Sequence, residues 1–154
     1  MPVTHESQAT LQRLFAMIEA SLKRIPEYLQ GDEGGSVSAD LQRFGRDIND
    51  QLDHAVSARS KVVLLTLPPK REIRRNGRPD FEETPTPLQG GQSPKTVGKR
   101  LFEASVRVRN NVVHGGKEDP ALERYSGHDQ AVVDAAIEVL SEARKVLGRI
   151  TVKH

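Results

Sequence analysis

Apolar residues return at steps of three and four along several stretches of this chain, and that period constrains the fold more than any other feature. Leu11, Leu14, Phe15, Ile18, Leu22, Ile25 and Leu29 form one stripe, and Leu41, Phe44, Ile48, Leu52 and Val56 a second. Val132, Val133, Ala136, Ile137, Leu140, Ala143 and Leu147 form another near the end. A 3.6-residue repeat puts each set on one helical face, which is satisfied by burial against other helices. GDEGGS at 31–36 stops the first helix, and Ser38 can cap the second. A further helix is expected from about Ser93, Pro94 or Lys95 to Val113, with a serine cap, a proline tolerated in the first turn and Gly115 as a good stop. Whether VVLLTL at 62–67 is helix or buried strand is not decided by the period; Pro68-Pro69 ends it either way. The expectation is an all-α fold, an antiparallel bundle of about four long helices, in a single domain over 1–154.

Between Lys70 and Pro94 the pattern changes. The stretch is rich in proline, holds a Gly-Gly pair and shows no sustained apolar period, so it is expected as an irregular or hairpin excursion at about 70–94. Within it KREIRRNGRPDFEE centres on Asn-Gly, a strong hairpin signal, and pairing around that turn sets Arg71 opposite Glu82 and Lys70 opposite Glu83. Its arginines could contact nucleic acid, line a solvent-exposed ribbon or meet a partner.

With 154 residues and 36% hydrophobic content, one core can be buried without staples. The absence of cysteine removes disulfides, thiolate nucleophiles and cysteine-based metal sites, and fits a cytoplasmic protein. No signal peptide and no membrane span is read in the sequence, so no membrane partner is expected. The net charge of +2 hides an uneven distribution. Residues 59–117 carry 13 Lys/Arg against 5 Asp/Glu, a local +8, while both flanks are acidic. A polyanion would sit there, although a solvated basic surface accounts for the charge equally well.

That basic third ends in RVRNNVVHGGK, residues 107–117. On an ideal helix of about 100° per residue, Val97, Leu101, Ala104, Val108 and Val112 form one apolar arc, and Phe102, Val106 and Val113 another. Arg109 falls in the gap beside Ser105; Lys99, Arg100, Glu103, Arg107, Asn110, Asn111 and His114 share the polar side. So wide an apolar surface implies a central helix or an interface. A guanidinium in an apolar seam keeps its charge and needs carboxylate, carbonyl or phosphate partners. Either Arg109 is tied to an acid such as Asp47, Asp50 or Asp53, or it is a phosphate clamp. His114 lies about 140° from Arg109 on a regular helix. The two converge if the helix loosens, if the arginine bends round, or if two chains contribute; otherwise His114 is a C-terminal cap.

The run RNNVVHGGK at the end of a helix in a small helical chain resembles the HEPN superfamily, whose hallmark is an arginine, four to six residues, then a histidine, often with a polar residue directly after the arginine. Arg109, Asn110 and His114 occupy those places. The resemblance implies a helical bundle that dimerises so that two motifs share a cleft, and, in active members, metal-independent endoribonuclease activity. It also implies a toxin or phage-defence role, with an antitoxin of the nucleotidyltransferase type as a partner. Arg109, Asn110 and His114 are then the expected catalytic residues, and Asn111, Lys117, Arg107, Lys99 and Arg100 the expected RNA contacts. Other members of the superfamily are non-catalytic RNA- or protein-binding modules.

The chemistry this predicts needs no cofactor and no metal. RNA brings its own 2′-hydroxyl nucleophile; histidine, with an unperturbed pKa of about 6.5, suits the proton transfers, and arginine the charge on phosphorus. The five histidines, at 5, 54, 114, 128 and 154, show no metal-ligand spacing, and Asp50 with His54 reads as a surface pair.

Overall fold

A computed structural model describes residues 3–66, 68–114 and 130–153, and of residues 113, 114, 152 and 153 only the backbone course. The chain is mostly helical, with two small antiparallel ribbons. The described α-helices are α1 (His5–Leu22), α2 (Leu41–Asp47), α3 (Asn49–Ala55), α4 (Ala58–Leu65), α5 (Val97–His114) and α6 (Gln130–Lys153). Strands β1 (Leu29–Gln30) and β2 (Ser38–Ala39) pair in one ribbon, β3 (Glu72–Arg75) and β4 (Arg78–Phe81) in the other.

The first stripe folds as its period requires, but only to Leu22. Thr4 caps α1, its hydroxyl accepting from the Ser7 amide at 3.1 Å, and Leu11, Leu14, Phe15, Ile18 and Leu22 are buried. Pro26 has no amide to continue the ladder, so Ile25 and Leu29 leave the helix through a 3-10 turn at Pro26–Tyr28. Ile25 remains buried while Leu29 turns outward.

The second stripe does not form one helix. Asp40 caps α2 in place of Ser38, accepting from the Arg43 amide at 3.1 Å, and Ser38 pairs in β2. The backbone breaks at Ile48 (φ −99°, ψ 10°) and again at Val56, after which Ser57 caps α4. Phe44, Ile48, Leu52 and Val56 nevertheless all remain buried, so the breaks re-aim the segments without turning the face outward. VVLLTL is resolved as helix through Leu65, with Val62 exposed and Leu64 buried.

The break at Ile48 serves α5. The Asn49 side chain accepts from the Lys99 amide and donates to the Lys95 carbonyl, both at 2.8 Å, satisfying groups that the first turn of α5 leaves open. The backbones meet closely here: a Cβ on Gly98 would lie 1.9 Å from the Asn49 carbonyl oxygen. Ser93 caps the 3-10 turn Pro94–Thr96 that leads in. From that start α5 runs through the middle of the molecule, packed on α1, α2, α3, α4 and α6. Tyr28, Phe44 and Phe102 stack edge to face, each ring 5.5 Å from the next, and Gly45 leaves space for Phe102. Burial, together with the hydrogen bond that Tyr28 donates to Asp47 at 2.8 Å, pushes the phenol up to about 12.

α1 and α6 begin at the same end of the core. The Thr4 amide donates to the Gln130 side-chain oxygen at 3.1 Å, and Gln130 donates to Ser7 at 2.9 Å. A purely antiparallel arrangement is thus not what these two neighbours adopt.

Candidate functional site

The wide apolar surface of α5 is used within the chain. Leu101, Ala104, Val108 and Val112 are buried in the core and Phe102 lies among them, with Val106 packed against its edge. Ser105, between the two arcs, is buried and donates back to the Leu101 carbonyl at 2.8 Å, so its hydroxyl needs no outside partner.

Arg109, one turn further on, is half-buried. Its guanidinium carbon lies 4.2 Å from the centre of the Phe15 ring of α1, and Nη1 donates to the Asn110 side-chain oxygen at 3.1 Å. Its Nε is buried without a hydrogen-bond partner. Among the described residues no carboxylate pairs with it. The three candidate acids are engaged elsewhere: Asp47 accepts from Tyr28, Asp50 from Asn49 at 3.0 Å, and Asp53 pairs with Lys61 at 3.0 Å. The negative face of a phenyl ring attracts a cation without neutralising it, so among the described residues no acid competes with an anion for Arg109. Asn110 is exposed, and with its side-chain oxygen accepting from Arg109 its amide nitrogen is a second donor at this end of α5.

Three of the expected RNA contacts have another use, which corrects their assignment to an open polar side. Arg107 is buried. It donates to the carbonyls of Pro69 (3.4 Å), Thr86 (2.5 Å) and Pro87 (3.3 Å) and pairs with Glu103 at 3.3 Å. Burial holds its pKa below the ordinary arginine value, partly offset by Glu103. Asn111 is buried and donates to the Lys70 carbonyl at 2.8 Å, and Arg100 is buried and donates to the Ser93 carbonyl at 2.8 Å. Together with Glu103, which accepts from the Gln89 amide at 2.7 Å, they fasten the 69–93 excursion along α5 as a strap. Donors spent on buried carbonyls are not offered to a phosphate. Lys99 is partly exposed but stands ten residues before Arg109, about 15 Å along the helix, too far to share one phosphate with it. Lys117 and the His114 side chain lie outside the described residues; α5 is helical to His114.

The strap carries the hairpin in the register expected from Asn-Gly. Glu72 faces Phe81, Ile73 Asp80, Arg74 Pro79 and Arg75 Arg78, with Asn76 (φ 52°) and Gly77 (φ 75°) at the turn. Glu82 closes its base. The carboxylate accepts from the amides of Arg71 (2.9 Å) and Thr86 (2.7 Å) and from the Thr86 hydroxyl, and Arg71 stands 3.8 Å away. Burial pushes this carboxyl up, but the Thr86 and Arg71 contacts outweigh it and hold the group below its ordinary range.

Asn49 carried no signal in the sequence beyond its type, because it acts on backbone groups far along the chain. Gly98 inside the first turn of α5 is the one local hint, since a glycine there marks a close backbone approach. Among the described residues no group of three His, Asp or Glu side chains could hold a metal ion, and no helix is long and apolar enough to cross a membrane. Comparison with family models, curated proteins and solved structures finds no match for this chain.

Proposed function

We propose that the protein is a HEPN-type, metal-independent endoribonuclease acting as a two-fold homodimer. Its framework is a bundle of four helical columns: α1, the broken α2 to α4 segment, α5 and α6. The observation that carries this reading is Arg109, a half-buried guanidinium near the end of the central helix. It is held by Phe15 and Asn110 and lacks a carboxylate partner among the described residues. A structural arginine would be tied to an acid or to carbonyls, as Arg107 is; Arg109 is positioned by Phe15 and Asn110 and, among the described residues, meets no acid.

In the reaction a base removes the proton from the 2′-oxygen, which attacks phosphorus as the bond from phosphorus to the 5′-oxygen breaks. An acid then protonates the departing 5′-oxygen, leaving a 2′,3′-cyclic phosphate and a 5′-hydroxyl. His114 and its symmetry copy are assigned the two proton transfers, Arg109 the charge on the pentacoordinate phosphorus, and Asn110 a non-bridging oxygen. Two chains are required because Arg109 and His114 diverge by about 140° on one helix. Since the apolar width of α5 is taken up by packing inside the chain, the dimer rests on this angle alone. A cytoplasmic toxin or phage-defence role, with a nucleotidyltransferase-type antitoxin as partner, belongs to the same reading.

The inward-turned Arg100, Arg107 and Asn111 favour the competing reading, a non-catalytic RNA- or protein-binding module, because they leave fewer cations beside the motif. Incubation with total RNA in excess EDTA, followed by end-group chemistry, separates the two. The expected result is cyclic-phosphate ends, lost in Arg109→Ala and His114→Ala variants that keep wild-type helicity and oligomeric state. RNA left intact by the wild-type protein, or cut equally well by His114→Ala, would overturn the nuclease assignment.

A further inference from the structure

We propose that the β3–β4 hairpin is a phosphate-binding arm that holds the RNA backbone beside the motif, with Arg74 and Arg78 as its contacts. This rests on the RNA-directed reading above and adds to it an element outside the motif.

The root of the arm is placed by the helix that carries the motif. Arg107 and Asn111, two residues before and two after Arg109, grip the chain at Pro69 and Lys70. They lie one turn apart on a single stripe of α5, and seven residues beyond Arg107 the position of His114 falls about 20° from it on a regular helix. The hairpin therefore starts on the His114 side of α5, whereas Arg109 leans the other way onto α1. From Lys70 to the turn is five residues, about 17 Å of extended chain.

The charges are sorted along that length. Arg71 faces Glu82, and Arg75 lies 3.2 Å from Asp80 and 4.0 Å from Glu83. Arg74 and Arg78 are exposed, and neither side chain makes an ion pair or hydrogen bond among the described residues. Arg78 also stands directly opposite Arg75 in the register. Like charges opposed across strands destabilise a hairpin, and Asp80 and Glu83 relieve only the Arg75 side. A polyanion laid across the tip would supply the missing countercharge. Alternation along the strands sends Arg74 and Arg78 to opposite faces of the ribbon, which suits contact with a phosphate backbone and gives no base-reading surface.

The test uses the wild-type protein and the Arg74→Ala/Arg78→Ala double variant. Binding to a fluorescein-labelled, mixed-sequence RNA fully methylated at its 2′-oxygens, and so uncuttable, is followed by anisotropy across a salt series. The expected result is an affinity about tenfold weaker at low salt and a log–log salt slope shallower by about 1.4, the value for two lost single-strand phosphate contacts, with both restored by Arg74→Lys/Arg78→Lys. An unchanged slope and affinity, or no binding of this RNA by the wild-type protein, would overturn the arm. Because the probe cannot be cut, a wild-type protein that binds with the expected slope change but cleaves nothing would sink the nuclease reading alone. One that cleaves with the variant binding normally would sink the arm alone.

Discussion

Arg109 of α5 places its guanidinium carbon 4.2 Å from the centre of the Phe15 ring of α1, so the motif arginine is held by a neighbouring helix through a contact that leaves its charge intact. Phe15 is itself almost wholly buried, and the arginine lies over its ring. Replacing the ring by leucine keeps an apolar side chain and removes the quadrupole. A double-mutant cycle between Phe15→Leu and Arg109→Ala, read from urea midpoints, is expected to give a coupling of about 0.5–2 kcal/mol. Additive single effects would show that the ring does not hold the cation. Phe15→Leu is also expected to slow RNA cutting without touching the motif.

Arg107 gives the opposite case, an arginine consumed by structure. Arg107→Met keeps the apolar stem and strands the carbonyls of Thr86 and Pro87. The cost is expected at about 2–4 kcal/mol, concentrated in the strap. Trypsin should then cut within 70–80 much faster than in the wild type, while α1 stays protected in hydrogen exchange. Equal digestion rates would show that the strap is held by other contacts.

The strap also answers to pH through Glu82. Its folded carboxyl is held below the ordinary value of 4.5, so it contributes stability that is fully present above that value and lost as pH falls through the folded pKa. The melting midpoint is expected to drop between neutral pH and about pH 3.5. Glu82→Gln should be less stable at neutral pH and should lose part of that drop. A variant whose acid-side slope matches the wild type would assign the dependence to other groups.

Two glycines in helices offer a paired test of the packing. A methyl group on Gly98 would lie 1.9 Å from the Asn49 carbonyl oxygen, a backbone atom that moves only with its helix, whereas one on Gly148 of α6 meets nothing within 4 Å. Gly98→Ala is expected to cost about 2–4 kcal/mol, and Gly148→Ala to stabilise by about 0.5–1 kcal/mol. Thermal melts of the two variants should therefore shift in opposite directions. A Gly98→Ala protein as stable as the wild type would show that α3 and α5 do not approach so closely.

What depends on neighbours a few residues apart is legible in the chain alone. The stripe of α1 as far as Leu22, the Ser93 entry to α5, the stripe of α6 and the Asn-Gly register that brings Arg71 to Glu82 follow from local periodicity and turn chemistry, and are present. Tertiary structure decided everything that depends on which backbone lies opposite. The second stripe is broken at Ile48 because Asn49 serves the first turn of α5, a contact spanning some fifty residues that no period encodes. Arg100, Arg107 and Asn111 look outward on a helical wheel, which knows the angles within one helix but not that a proline-rich strap will lay its unpaired carbonyls along that side. Arg109 differs for the same physical reason. Among the described residues its partners are a ring from α1 and the amide beside it, so its guanidinium is held without an acid there, and only the packing of α1 on α5 could distinguish it from Arg107, two residues earlier.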